Sequence, residues 1–155
     1  WTNQDPMTHR LIAHLGPEPL SNEFNTDYLY TESRKRSLSI KSFIMNNSIV
    51  VGIGNIYANE ALFLSGINPK LKANKISKLR YRKLIRSIET ILSKAIDKGG
   101  TTLRDFVNGN GMPGYFSNEL KIYNRAGESC IECKRKIKKI RQNQRSTFYC
   151  AFCQT

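Results

Sequence analysis

Apolar residues recur at helical intervals through the first two thirds of the chain, and strand-like alternation is confined to the end. Before either pattern begins, Pro6, Pro17 and Pro19 punctuate residues 1–20. Leu15-Gly16-Pro17-Glu18-Pro19-Leu20 reads as a rigid extended connector, because proline fixes its own φ and restricts the residue before it. Residues 1–20 are therefore expected to form a lead-in or linker, with a short helix around 9–15. From Ser21 the period is helical. Ser21 is placed to cap a helix over 22–34, with Phe24, Tyr28 and Leu29 on one side. Ser37 is placed to cap a second, over 38–46, where Ile40, Phe43 and Ile44 fall at i, i+3 and i+4. Asn46-Asn47-Ser48 breaks it.

Ile49-Val50-Val51-Gly52-Ile53-Gly54 is apolar and interrupted by glycine, the pattern of a buried tight passage. Asn55 opens a helix over 56–65 that Gly66 and Pro69 close. The longest helix is predicted over 77–98, capped by Ser77 and stopped by Gly99-Gly100. Its stripe is Tyr81, Leu84, Ile85, Ile88, Ile91, Leu92, Ala95 and Ile96. Thr102 and Asp105 resemble a capping box for a short helix over 103–107, followed by a glycine-rich loop over 108–119. Leu120 and Ile122, then Thr147, Phe148 and Tyr149, carry the alternation of short strands. The expected fold is mainly α: the lead-in 1–20, a helical body 21–119, and a small β-hairpin module 120–155.

All four cysteines lie in that last module, as Cys130-x2-Cys133-x16-Cys150-x2-Cys153. Two CxxC pairs at this separation read as one structural zinc site, each pair making a knuckle that points two thiolates at one ion. Four protein ligands leave no open position, so the expected Zn²⁺ supports structure and performs no chemistry. About 30 residues cannot bury enough apolar surface alone, and metal binding supplies the missing folding free energy. Two disulfides in a secreted scaffold are the bland alternative. They fit poorly, because Trp1-Thr2-Asn3-Gln4-Asp5 has neither the basic start nor the apolar stretch of a signal peptide. An iron–sulfur centre fits the hairpin spacing less well, and a redox CxxC would need a βαβ setting that is absent.

Charge then narrows the partners. The chain has 155 residues, room for one ordinary domain or two small ones, with 25 Lys and Arg against 12 Asp and Glu, a formal net charge of +13. That balance favours a polyanion, chiefly nucleic acid, over a merely solvated basic surface. No uncharged apolar run approaches the length of a membrane-spanning helix, so no membrane partner is expected. Residues 121–155 hold nine basic residues and two acidic ones, and Lys134, Arg135, Lys136, Lys138, Lys139, Arg141 and Arg145 all lie between the knuckles. A rigid hairpin so charged suits phosphates. Arg145, with Gln144, is expected at its tip, and arginine suits a planar bidentate phosphate contact. His9 and His14, an isolated pair, read as structural or exposed.

The second unusual stretch is Val51-Gly52-Ile53-Gly54-Asn55-Ile56-Tyr57-Ala58-Asn59-Glu60. Two glycines allow close backbone approach, and a helix N-terminus follows with unsatisfied N–H groups and partial positive charge. The pattern suits an anion, with Asn55 adding a side-chain donor. A glycine turn with an asparagine cap is also common as plain structure. No GK[ST] follows, so it is not a nucleotide P-loop. Glu60 lies one turn in on an apolar helix, either as a surface carboxylate or as a buried, hydrogen-bonded group at an interface.

VVGIGNIYANEALFLSGINP, GGTTLRDF, PGYFSNELKIYNRAGESC and QRSTFYCAFCQ, in this order and spacing, resemble the C-terminal half of bacterial formamidopyrimidine-DNA glycosylase. The resemblance covers roughly residues 15–155. It implies a helix–two-turns–helix body and a zinc hairpin that clamp damaged duplex DNA. It further implies that Asn55, in the Gly54-Asn55 turn, binds a phosphate beside the damaged nucleotide and that Tyr57 lies in this phosphate-binding turn. Arg145 would bridge phosphates around the flipped-out nucleotide. Lys138 and Lys139 would join the DNA-binding set, Glu60 would support the catalytic region at the domain interface, and the loop 108–119 would contact an oxidised purine. Cys130, Cys133, Cys150 and Cys153 would hold one structural Zn²⁺.

Base flipping is physically required, because the sugar C1′ cannot be reached inside a stacked duplex. The implied parent activity is an N-glycosylase with lyase function, acting on 8-oxoguanine and formamidopyrimidines in the bacterial cytoplasm, as a monomer on DNA. The family's nucleophile is an N-terminal proline carried on a β-sandwich domain, and neither has a counterpart here. Pro6 is internal, and its amide nitrogen cannot form a Schiff base. The chain starts without Met, so a portion of a longer protein is expected, inactive by itself, with no catalytic residue in it and the missing N-terminal catalytic domain as a partner. Asn124 stands where the family's turn usually has glycine, and Lys134 follows Cys133 where glycine is common, so that knuckle is expected to be strained. Met112 stands where a charged or small loop residue is common. The competing readings are an endonuclease VIII-like fragment for oxidised pyrimidines and a non-enzymatic zinc-ribbon nucleic-acid-binding module, for which the Val51–Glu60 and GGTT motifs have no purpose.

Overall fold

A computed structural model of the chain describes residues 15–97 and 120–155, the side chains of 96 and 97 excepted. The expected helix at 9–15, the Gly99-Gly100 stop, the helix at 103–107 and the loop 108–119 lie outside these residues, as do His9 and His14. The elements are α1 (Thr26–Ser33), α2 (Ile40–Ile44), α3 (Asn55–Ser65), a 3-10 turn (Ala73–Lys75), α4 (Lys78–Asp97), β1 (Lys138–Gln142) and β2 (Arg145–Tyr149). The protein is mainly helical and ends in a two-stranded antiparallel hairpin, as expected. Among the described residues no helix is long and apolar enough to cross a membrane.

Both early caps fall later than the sequence predicts. Ser21 spends its hydroxyl on the Glu18 carbonyl at 2.7 Å, in a turn, and Asn25 caps α1 by accepting from the Tyr28 N–H at 2.9 Å. Ser39, not Ser37, caps α2, accepting from the Ser42 N–H. Here the reason is tertiary. Residues 38–40 are held extended against 71–73, with the Ile40 N–H on the Leu71 carbonyl at 2.6 Å and the Ala73 N–H on the Leu38 carbonyl at 2.8 Å. A helix cannot start until that pairing ends. Local sequence wins elsewhere. The Ser77 hydroxyl accepts from the Arg80 N–H at the start of α4, and Gly66 closes α3 at φ 75°.

Between α2 and α3 the chain makes a turn at 46–49, where the Ile49 N–H meets the Asn46 carbonyl at 2.9 Å. It then reverses again at Gly52, whose φ is 84°. The connector 15–20 seats on this double turn. The Gly16 N–H reaches the Asn47 carbonyl at 2.8 Å, the Val51 N–H reaches the Pro17 carbonyl at 3.1 Å, and the Tyr28 hydroxyl reaches the Ile49 carbonyl at 2.6 Å.

The main core lies between α4, which contributes Tyr81, Leu84, Ile85 and Ile88, and α1, α2 and the double turn, which contribute Leu29, Phe43, Ile44 and Ile49. α3 runs through the middle and is buried at every position from Asn55 to Phe63. A second core holds Phe63, Ile122, Ile137 and Phe148 with Cys130 and Cys150, and Tyr123 packs against both clusters. The Arg34 guanidinium joins α1 to the turn before α4. It donates to the carbonyls of Ala73, Asn74 and Ile76 at 3.1, 2.8 and 2.6 Å.

The strand expected at Leu120 and Ile122 does not form. Their side chains are buried, but the backbone N–H groups of Lys121, Ile122 and Tyr123 turn onto the Glu60 carboxylate at 2.9, 2.9 and 2.8 Å. A carboxylate has taken the place of a partner strand. In the hairpin, Asn143 and Gln144 form a two-residue loop at φ 50° and 67°, flanked by the Gln142–Arg145 pair. These values match the mirror-image turn that suits the right-handed strand twist. Asn124 (φ 63°) and Lys134 (φ 71°) occupy the left-handed region where glycine would be easiest.

A Cβ on Gly16 would lie 2.2 Å from the Ile49 carbonyl oxygen, a backbone atom with little room to yield. Gly16→Ala is expected to destabilise the fold by about 1–3 kcal/mol, the usual cost of overpacking. Urea denaturation measures it, and unchanged stability would show that the connector is not seated on the double turn.

Candidate nucleic-acid interface and metal centre

α3 has no exposed face along most of its length, so its polar side chains need partners inside the protein. Three of them find the backbone of the C-terminal module. Asn55 Nδ2 donates to the Ser146 carbonyl at 3.0 Å. Asn59 Nδ2 donates to the Asn55 carbonyl at 2.8 Å, while Asn59 Oδ1 accepts from the Phe148 N–H at 2.7 Å. Glu60 takes the three N–H groups of 121–123. The hairpin is thus hydrogen-bonded to one side of α3, and Arg145 stands next to the N-terminus of that helix.

The cap residue of α3 is Gly54, in extended conformation and making no side-chain cap bond. Asn55 is the first helical residue rather than the cap, because its amide is turned to Ser146. The N–H groups of Asn55 and Ile56 have no acceptor within the helix. Tyr57 follows on the same turn, but its side chain packs into the main core. Lys138 and Lys139 are exposed on β1, the latter with its ammonium 5.8 Å from the Phe148 ring. Of the residues singled out from sequence, Gly54, Asn55 and Arg145 come together. Tyr57 and Glu60 are buried behind them, and the two lysines lie further along the strand.

Lys41 is the residue that sequence reading missed. It sits on α2 with 2% of its surface exposed. Its ammonium donates to the Ser146 carbonyl at 3.0 Å and to Thr147 Oγ1 at 2.6 Å. Ser146 therefore receives Lys41 and Asn55 together, one residue from Arg145. A cavity of about 210 Å³ opens there, lined by Lys41, Ser42, Met45, Gln142, Asn143 and Arg145. Among the described residues lining it, the charged ones are Lys41 and Arg145, both basic, so its electrostatic character is positive. Burial, and then the Arg145 charge, push the Lys41 ammonium down to about 8. The only sequence signal was a lysine between Ile40 and Phe43 on a short apolar helix.

The metal centre is at the other end of the hairpin. The four cysteine sulfurs lie within 4.8 Å of one another, with 3.8 Å between Cys130 and Cys153 and 3.4 Å between Cys133 and Cys150. Tetrahedral zinc with bonds of about 2.3 Å requires sulfurs about 3.8 Å apart, so the set fits one ion with no further ligand. Backbone donors already face the sulfurs, from Glu132 to Cys130 and from Cys153 to Cys150, each at 3.4 Å. The Arg135 N–H holds the Cys133 thiol down to about 7, while burial pushes Cys150 and Cys153 up. A bound cation would reverse that crowding and release protons.

The family model described as the formamidopyrimidine-DNA glycosylase H2TH domain matches residues 15–107, and that of the zinc finger found in FPG and IleRS matches 127–155. The chain belongs to the formamidopyrimidine-DNA glycosylase family. It is 53% identical over 154 residues to formamidopyrimidine-DNA glycosylase of Idiomarina loihiensis, covering 99% of this chain and 57% of that protein. Among solved structures, MutM (Fpg) from Thermus thermophilus superimposes with a TM-score of 0.84 at 31% identity, over 97% of this chain and 57% of that one. A mutant Fpg from Lactococcus lactis, in complex with Fapy-dG-containing DNA, gives 0.83 at 33%, over 96% and 55%. The chain therefore spans somewhat more than half the length of these family members. The family's zinc finger is present, and its four cysteines are close enough together to bind one zinc ion.

Two outcomes follow. Chelating the metal should unfold the hairpin and lower the stability of the whole chain, because the metal's binding free energy is also folding free energy. Cys150→Ser should lose a stoichiometric zinc, and elemental analysis with circular dichroism reads both. For Lys41, the unfolded chain holds its proton up to about 10.5, against about 8 when folded. Between those values the unfolded state binds more protons, so this residue's contribution to stability rises with pH across the window and is flat below it. The unfolding free energy of the native chain minus that of Lys41→Met should therefore increase between pH 8 and 10. A pH-independent difference would show that Lys41 is not charged against burial.

Proposed function

We propose that this chain is the duplex-DNA-binding part of a base-excision-repair glycosylase and AP lyase acting on oxidised purines, 8-oxoguanine and formamidopyrimidines. The catalytic chemistry is assigned to the portion of the relatives that this chain does not span, and the 155 residues alone bind DNA without releasing bases. The protein works as a monomer on one duplex, in the bacterial cytoplasm at the nucleoid, together with its N-terminal catalytic domain.

One observation carries this reading. Lys41 and Asn55 both donate to the Ser146 carbonyl, next in the chain to Arg145, and Lys41 and Arg145 are the two charged residues among the described ones lining the pocket between α2 and the hairpin turn. Such a pocket suits the phosphates on either side of a nucleotide drawn out of the stack. Arg145, exposed on the first position of β2 just beyond the Asn143-Gln144 turn instead of at the tip itself, offers its guanidinium to a phosphate, and Asn55 offers its second amide hydrogen beside the first-turn N–H groups. Gly54 lets the sugar–phosphate backbone come close, and Tyr57 packs that turn rigidly from behind. Lys138 and Lys139 extend the positive surface along β1. Glu60 and the four zinc-binding cysteines hold the module in place and touch no DNA. The Lactococcus lactis relative's complex with Fapy-dG-containing DNA supports the lesion class.

The test uses the 155-residue chain and a duplex with a stable abasic analogue. Asn55→Ala and Arg145→Ala should each weaken binding about 10-fold or more, the size of a charge-assisted hydrogen bond, with zinc content unchanged. Binding equal to that of the native chain by both variants would overturn the residue roles. No 8-oxoguanine should be released by this chain, and measurable release would overturn the assignment of the chemistry elsewhere.

A further inference from the structure

The connection between α3 and α4 lies against the hairpin and brings its own positive charge. The Gln142 amide donates to the Pro69 carbonyl at 3.3 Å, and the Asn143 amide bonds the Ser42 hydroxyl. A few residues beyond Pro69 the chain is bridged to α2's cap residue, Lys72 pairing with Ser39. Leu71 packs against the main core, which leaves Lys70 and Lys72 on either side of it, at the surface. The Lys70 ammonium lies 5.2 Å from the Tyr149 ring, and Tyr149 is the cross-strand partner of Lys138. Two lysines of the connection and one of β1 thus share the surface where these elements meet, and none of the three is in an ion pair with a described residue. The surface adjoins the pocket through Gln142, which lines the pocket and bonds the carbonyl of Pro69, the residue before Lys70.

We propose that Lys70, Lys72 and Lys138 form a second phosphate-binding patch that holds the duplex flanking the nucleotide seated at Arg145. This extension rests on the DNA-binding reading above. Its scale is set by the strand. From Gln142, the partner of Arg145, to Lys138 is about four residues, or about 13 Å at the usual rise of an extended chain. Phosphates of one DNA strand advance about 3.4 Å each along the helix axis, so the patch reaches about four nucleotides beyond the pocket. The ordinary alternative for surface lysines is a solvated face that any anion screens equally.

The discriminating experiment replaces Lys70, Lys72 and Lys138 together by Gln and compares this variant with a charge-matched one, Arg82→Gln, Lys83→Gln and Arg86→Gln. The latter changes exposed positions of α4, whose buried face packs into the main core. Affinity for a duplex of about 20 base pairs with a central abasic analogue is followed against salt. Each phosphate neutralised by the protein contributes about 0.9 to the slope of log K on log salt. The lysine variant should therefore show a slope shallower by about 2–3 and at least about 10-fold weaker affinity at moderate salt, and the α4 variant should keep the native slope. On a duplex with about three base pairs on each side of the lesion the lysine variant should bind like the native chain. Equal slopes for the two variants, or a weakening that persists on the short duplex, would overturn the patch. Arg145→Ala, measured alongside, separates the two failures. If Arg145→Ala weakens binding and the lysine variant does not, only the patch is wrong. If neither does, the DNA-binding reading falls with it.

Discussion

A helix buried on all sides must satisfy its polar side chains within the protein, and in α3 that requirement decides where the hairpin goes. Asn55, Asn59 and Glu60 are all nine-tenths buried or more, and each is bonded to backbone of the C-terminal module. A buried polar group left without its partner costs about 1–3 kcal/mol. Several such groups are engaged here, so a shifted hairpin would strand them together. The module has one low-energy seat on the helical body, and that seat puts Arg145 beside the N-terminus of α3.

The charge distribution runs against this cohesion. Lys41 is buried with its ammonium at the Ser146 carbonyl and the Arg145 charge nearby, and it holds its proton less tightly than an exposed lysine. A phosphate arriving in the pocket would favour the charged ammonium, answer the repulsion from Arg145 and replace water lost on burial. Lys41 is already held at the pocket by the Ser146 carbonyl and Thr147 Oγ1, so on the proposed reading its side chain would need little rearrangement to face an anion. The hairpin spans the distance between this pocket and the cysteine cluster. With metal at one end and α3 along its side, its tip can be stiff although two strands alone are only marginally stable.

How much of this was readable from sequence depends on the range of the interaction that decides each feature. The CxxC spacing specified the sulfur cluster, because each knuckle is closed by residues within three positions. Gly66 and Ser77 ended and began helices as expected, since left-handed caps and hydroxyl caps act within one turn. Ser21 and Ser37 did not cap: Ser21 was used in a neighbouring turn, and residues 38–40 were already paired with 71–73. Leu120 and Ile122 alternate like a strand, and their side chains are buried as a strand's would be. The backbone N–H groups of Lys121, Ile122 and Tyr123 instead meet a carboxylate 61 to 63 residues away, which no local pattern announces. Lys41 was passed over for the same reason, since its neighbours Ser146 and Thr147 are more than a hundred residues distant.

The sequence by itself determined the helical body, the metal-binding knuckles, the hairpin between them and the excess of positive charge. Each follows from period, spacing or composition, quantities that a linear chain already contains. Only the tertiary structure decided that Asn55 faces the hairpin instead of capping its helix, that Glu60 stands in for a strand, and that Lys41 and Arg145 share one pocket. Those outcomes depend on which backbone groups remain unpaired once the cores have packed. That is a property of the folded assembly, because burial turns a distant donor or acceptor into the nearest available partner.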